Sequence, residues 1–244
     1  MYEPQLKHIK SVLCLGAHAD DIEIGCGGAL LALLQQEPSI DVHWIVCSGE
    51  PRRAKEARRS AEQFLAAGSG HRDIRVENFR DSFFPAEWES IKEFFHVLSR
   101  EIQPDLIFTH RREDMHQDHR VISELSWCAF RNHLMLEYEI PKYEGDLGQP
   151  NVFFPVSQSN AQTKCQLLID SFESQHDKPW FTEETFRAML RLRGLEANSP
   201  SGYAEAFHCR KLCLTTGSAE LLTNTPADQA QKPELMAAGV DSSR

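Results

Sequence analysis

Two short segments gather residue types that bind and activate small molecules. The first is Gly16-Ala17-His18-Ala19-Asp20-Asp21-Ile22-Glu23-Ile24-Gly25-Cys26-Gly27-Gly28, and the second is Thr109-His110-Arg111-Arg112-Glu113-Asp114-Met115-His116-Gln117-Asp118-His119-Arg120. In the first, a histidine and two adjacent carboxylates share a tight turn, so His18 and one Asp can aim at one point while the other Asp looks elsewhere. Acceptors this close repel one another unless a cation or proton intervenes. The second offers His116 and His119 on either side of Asp118, and one of these imidazoles can complete a set of two His and one carboxylate. Such a set on a divalent metal leaves positions open for water and a substrate oxygen. Taken singly, each segment has a plainer explanation, since Asp residues before a helix commonly cap it and a His at a strand end is commonly just hydrogen-bonded. Their coincidence favours the metal.

The flanking elements place both segments at one edge of a sheet. Residues 11–17 and 40–47 read as buried strands, 74–79 as a third and 105–110 as a fourth, after the breaker Pro104. Helical patterns lie between them, with an apolar run at 29–34, then 52–67 ended by Gly68, and 87–101. Strands alternating with such helices predict an α/β, Rossmann-like fold in one domain, its mostly parallel sheet covered by helices on both faces. In open parallel sheets, ligands bind beyond the carboxyl ends of the strands, where both segments fall. Beyond a helix at 121–131 the rhythm weakens. Residues 138–143 and 152–156 are short β-like pieces, 163–173 and 183–193 are helical, and 204–214 is a last strand. The domain is expected over residues 1–215, with residues 216–244 a polar, aperiodic and mobile tail.

Composition narrows the functional classes. With 244 residues, 41% hydrophobic and 25% charged, the chain is neither collagen-like, disulfide-dense nor wholly disordered. A net charge of −10 opposes nucleic acid and anionic membranes, and the one basic stretch, 52–59, would be spread round a helix. No apolar run approaches the roughly twenty residues of a membrane span, and residues 1–10 are polar, with no signal-peptide core after them, so a cytoplasmic location is expected. The seven cysteines are odd in number and never form a CxxC pair, which suits small buried hydrophobes rather than disulfides or zinc thiolates. Gly25-Cys26-Gly27-Gly28 suggests a dinucleotide loop, but that fingerprint needs a glycine where Leu30 stands, and Asp20, Asp21 and Glu23 would face the pyrophosphate. Association with copies of the same chain is compatible with this class of fold.

At these residues the sequence resembles the LmbE/PIG-L family of zinc-dependent N-deacetylases. The family's A-H-P-D-D-x-E and G-x-G-G signatures correspond to Ala17 through Glu23 and Gly25 through Gly28, and its H-x-D-H signature to His116-Gln117-Asp118-His119. Weaker similarity extends through Arg53-x-x-Glu56, Lys164, Ser174-Gln175 and Tyr203-Ala204-Glu205-Ala206-Phe207. The resemblance implies that His18, Asp21 and His119 hold zinc, or another divalent ion such as Fe2+, with Asp20 as general base. It implies that His116 stabilises the developing oxyanion, that Asp118 orients His116 and favours its charged form, and that Arg53 and His110 meet substrate. The implied reaction removes acetyl from an N-acetylated amino sugar or related glycoconjugate, through water made acidic by the metal. One departure is Ala19, where the family has Pro, which leaves the turn less restricted. The rival readings are a nucleotide- or sugar-nucleotide-binding protein without hydrolytic chemistry, and a binding module that keeps the metal for structure.

Overall fold

Alternate residues of β1 (Ser11–Gly16) enter opposite cores: Val12 and Cys14 pack on one side of the sheet, Leu13 and Leu15 on the other. A strand covered on both faces reads as an unbroken apolar run, and that is why the sequence of β1 shows no polar alternation. The computed structural model describes residue 6 and residues 8–213, and its regular elements lie in the unit Met1–Lys211. The tail expected over 216–244, and the domain boundary at 215, lie outside the described residues.

The strands are β1, β2 (Asp41–Val46), β3 (Arg72–Val76), β4 (Leu106–His110), β5 (Leu134–Tyr138), β6 (Val152–Pro155) and β7 (Ala204–His208). They form one seven-stranded sheet in the order β3-β2-β1-β4-β5-β7-β6, parallel from β3 to β5 and antiparallel at β7 and β6. Helices α1 (Asp21–Gln36), α2 (Pro51–Phe64), α5 (Gln158–Ser171) and α6 (Glu183–Glu196) cover the face that buries Trp44, Phe64, Phe108 and Phe207. Helices α3 (Trp88–Glu101) and α4 (Gln117–Ala129) cover the other, through Ile91, Phe95, Ile122 and Leu125. The mostly parallel α/β sheet with two helical layers is the architecture the rhythm predicts.

Among the boundaries that differ from the sequence reading, three bear on the site. Strand β5 ends where residues 138–143 were expected to begin it, because its ladder runs from Leu134 opposite Leu106 to Tyr138 opposite His110, and Pro141 cannot extend such a ladder. Helix α1 starts at Asp21 rather than near residue 29, incorporating all three glycines. Those glycines are poor helix formers, but each fits a specific neighbour: a Cβ would come within 2.2 Å of the Tyr138 ring at Gly25 and 2.6 Å of Phe64 at Gly27. Helix α4 starts at Gln117 rather than 121, so Asp118 and His119 occupy its first turn.

Candidate metal centre

The strand order reverses between β1 and β4, and the loops leaving these two strands meet at that switch point, where open α/β sheets bind ligands. The first loop is closed by hydrogen bonds. The His18 amide donates to Asp21 Oδ2 (2.6 Å) and the Ile24 amide to the Asp20 carbonyl (3.1 Å), while Ala19 is fully buried. These bonds fix the turn that lacks the family's proline. Asp20 occupies the N-cap of α1 but makes no side-chain capping bond; its Oδ1 accepts from Arg53 Nη2 at 2.8 Å instead. The capping explanation of this carboxylate therefore fails.

The second loop delivers His119. Its Nδ1 lies 3.1 Å from Asp114 Oδ2 and donates to it, which leaves Nε2 with its lone pair. That nitrogen lies 3.2 Å from His18 Nδ1 and 3.5 Å from Asp21 Oδ1, and His18 Nδ1 lies 3.4 Å from Asp21 Oδ2. Bonds of about 2.0–2.1 Å in a tetrahedral site set ligand atoms about 3.3–3.4 Å apart. The two imidazole nitrogens therefore stand at the spacing of two ligands of one small divalent ion, and the Asp21 carboxylate lies across them with Oδ2 toward His18 and Oδ1 toward His119; donor atoms also come mutually close in the groups His18, His116, His119 and Asp21, His110, His119. Partners behind the imidazoles of His18 and His119 reinforce the fit: His18 Nε2 lies 3.2 Å from Asp118 Oδ2 and 3.3 Å from Asp81 Oδ1, and Asp114 backs His119. Carboxylates behind ligating imidazoles fix their tautomer and raise their basicity.

The charges call for a cation. Burial opposes a proton on His18, but Asp118, Asp21 and Asp81 outweigh it and hold this imidazole well above its ordinary value. Burial opposes charge on Asp21 as well, yet His119, His110 and His18 keep it ionised, well below the usual carboxylate range. His119 is pushed the other way, down, by burial and then by His110. Arg53 is on Asp20 and Lys142 on Asp114 (2.8 Å), whereas the side-chain partners of Asp21 and Asp118 among the described residues are imidazoles, and Asp81 meets His18 and the Ser82 hydroxyl.

Two expected roles meet a different geometry. His110, read as substrate-binding, is fully buried beneath the ligands, where its Nε2 accepts from the Ala17 amide (2.9 Å) and lies 3.2 Å from both Asp21 Oδ2 and the Tyr138 hydroxyl. It supports the loop. Asp118 was expected to orient His116 and favour its charge; its carboxylate instead takes His18 Nε2 and the amides of Ser82 (2.6 Å) and Phe84 (3.1 Å). His116 caps α4 with Nδ1, which accepts from the Asp118 amide at 3.3 Å, and burial followed by His119 and His18 lowers its affinity for a second proton. A neutral ring with its proton on Nε2 follows. The sequence reading gave no role to Asp114 or Lys142; the spacing D-x-H-x-D-H placed Asp114 in the motif, but its contact with His119 exists only once the loop turns back on α4. Arg53, expected to meet substrate, directs Nη2 to Asp20 Oδ1. Gly25, Gly27 and Gly28 lie against Tyr138, Phe64 and Glu205, which leaves no approach for a pyrophosphate.

Residues 13–130 match the family described as PIG-L: GlcNAc-PI de-N-acetylase. The uncharacterized deacetylase YaiS of Escherichia coli K12 is 30% identical over 172 residues, covering 65% of this chain and 89% of that protein. Among solved structures, N,N'-diacetylchitobiose deacetylase from Pyrococcus horikoshii aligns with a TM-score of 0.63 at 20% identity, over 83% of this chain and 84% of its own. GalB, the 4-carboxy-2-hydroxymuconate hydratase of Pseudomonas putida KT2440, aligns with a TM-score of 0.69 at 19% identity, over 86% of this chain and 100% of its own. At these identities the structural likeness concerns the fold, and one fold carries both a deacetylase and a hydratase.

Proposed function

The chain belongs to the PIG-L (LmbE-like) family, and on that footing we propose that it is a metal-dependent deacetylase that hydrolyses the acetamide of an N-acetylated amino sugar or related glycoconjugate. The observation that carries this reading is the convergence of His18, Asp21 and His119, with His18 Nδ1 and His119 Nε2 3.2 Å apart, Asp21 Oδ2 3.4 Å from the first and Asp21 Oδ1 3.5 Å from the second, and the carboxylate of Asp20 alongside. Zinc suits two imidazoles and a carboxylate, and Fe2+ is accommodated by the same set. When bound, such an ion acidifies water and polarises an amide carbonyl.

The chain's own groups do the rest. Arg53 engages Asp20 Oδ1, and Asp20 Oδ2 has no hydrogen-bond partner among the described residues, so this oxygen is the one that takes a proton from the attacking water. His116, neutral with its proton on Nε2, donates to the negative charge that develops on the amide oxygen. Water adds to the carbonyl carbon, the C–N bond breaks, and the proton held by Asp20 passes to the departing nitrogen. The products are acetate and a free amine. Asp81, 58% exposed beside His18, and the guanidinium of Arg53 are suited to sugar hydroxyls at the mouth. A cytoplasmic location is part of the same proposal; none of the described helices is long and apolar enough to cross a membrane.

Acetate release from a panel of N-acetylhexosamines, free and glycoconjugate-linked, tests the reading. The expected result is release that stops on chelation and returns with zinc. Asp20→Asn should keep the metal and lose about 10²–10⁴-fold in turnover, whereas His119→Ala should lose the metal itself. Equal loss of activity with full metal content in both would contradict these roles.

A further inference from the structure

A buried ion pair is hydrogen-bonded to the backbone of α1, one turn beyond the two carboxylates of the centre. Glu205, on β7, accepts from two successive α1 amides, Gly28 N to Oε1 and Ala29 N to Oε2, both at 2.7 Å. Lys164, on α5, donates from Nζ to Glu205 Oε1 (2.6 Å) and to the Ile24 carbonyl (2.6 Å). In an unbroken helix the Gly28 amide and the Ile24 carbonyl are partners across a single rung. Here each end of that rung is held by one member of the pair. Both side chains are almost completely buried, and a Cβ on Gly28 would stand 2.9 Å from Glu205 Oε1, so a glycine at this position is what lets the carboxylate reach the backbone.

Stability alone does not account for the arrangement. Replacing a buried ion pair by apolar groups of similar volume is often neutral or stabilising, so this pair is weak as a stabilising device. Side chains fixed on β7 and α5 that bond backbone groups of α1 do, however, tie the position of the helix to those two elements. The segment N-terminal to it, residues 20–24, carries Asp20, Asp21 and Glu23. We infer that the Lys164–Glu205 pair is a wedge that sets the axial position and rotation of the first turn of α1, and thereby aims Asp20 and Asp21 at the metal. Lys164 and Glu205 are positioning residues and touch neither metal nor substrate. The inference rests on the metal reading of the site.

The test compares the parent chain with K164M/E205M, in which the wedge is removed as a pair, and with the conservative K164R. Co2+ serves as probe, read by its visible absorption and by titration against a chelator. The double variant should unfold at a temperature close to that of the parent, bind Co2+ at least about tenfold more weakly and give an altered absorption band, while K164R stays within about twofold. A folded double variant with the parent's Co2+ affinity and spectrum would overturn the inference. If the double variant does not fold, E205Q replaces it, and an unchanged affinity and spectrum there is equally fatal. Hydrogen exchange at residues 20–24 separates the two claims. A parent that binds no Co2+ would contradict the metal reading, and the wedge then stands or falls on whether these amides lose protection in the variant.

Discussion

Asp114→Asn removes one charge and one acceptor from behind His119 while barely changing the shape of the side chain. In the native protein Oδ1 accepts from the His116 amide (2.8 Å), and Oδ2 receives both His119 Nδ1 (3.1 Å) and Lys142 Nζ (2.8 Å), in a site only 3% exposed. Three donors therefore converge on two oxygens. Asparagine has one acceptor oxygen, and either orientation of its amide turns an N–H toward a donor. If the nitrogen faces His119, the imidazole loses the partner that keeps the proton on Nδ1 and the lone pair on Nε2. If it faces the His116 amide, the entry to α4 loosens. A buried donor left unpaired costs about 1–3 kcal/mol, which corresponds to roughly 5- to 150-fold in an equilibrium constant, and loss of a carboxylate behind a ligating His typically weakens metal binding 10- to 100-fold. The two ranges agree on about tenfold or more. Competition titration of zinc against a chromophoric chelator measures it directly, with thermal unfolding of the metal-free protein as the control for folding. Zinc affinity within twofold of the parent, in a folded variant, would refute the claim that Asp114 sets the tautomer of His119.

Other outcomes follow from the packing around the site. Gly25→Ala places a methyl 2.2 Å from the Tyr138 ring, whose hydroxyl donates to the Leu15 carbonyl in β1; overpacking should cost about 1–3 kcal/mol and lower the melting temperature by several degrees. Burial opposes charge on Glu139, but His208 and Arg193, the latter 2.8 Å away, outweigh it and hold this carboxyl below its ordinary value. The native state then binds fewer protons here than the unfolded chain, so this stabilisation is present above the ordinary carboxylate pKa and is lost as pH falls through the lowered one. Chemical denaturation across the acid range should show Glu139→Gln less stable than the parent near neutrality, with the gap closing as pH falls; a constant gap would contradict the assignment. His116→Ala should retain the metal at a reduced rate, checked by metal analysis beside turnover, and loss of the metal would make His116 a ligand.

The parallel half of the sheet was legible because β1, β2 and β4 are buried on both faces and read as apolar runs between helices. The misplaced β5 shows where such reading stops. Glu137 looks like a strand-breaking charge, but it is fully buried, with Trp127 Nε1 (2.6 Å) and Arg210 Nε (2.6 Å) on its carboxylate, partners that lie far off in sequence or beyond the next turn. The start of α1 was hidden for a related reason: three glycines argue against a helix locally, and tertiary contacts from Tyr138, Phe64 and Glu205 overrule them. In the site, types and spacing pointed to His18 with one of the two Asp residues and one imidazole of the second segment, and the choice of Asp21 and His119 came from the family resemblance. Asp114 and Lys142 were not assigned there, since a residue that acts by holding a ligand is marked only by its place in space. His110 and Asp118 show the converse error, in which a polar residue beside a site is read as facing substrate when it faces the backbone or another ligand.

The proposed activity depends on a divalent metal held by His18, Asp21 and His119 that drives amide hydrolysis. Metal content of the purified chain, measured together with acetate release before and after chelation, tests it most directly. The expected result is about one equivalent of metal and acetate release that chelation abolishes and zinc restores. A chain that neither carries nor takes up a divalent metal, or whose acetate release survives its complete removal, would contradict it.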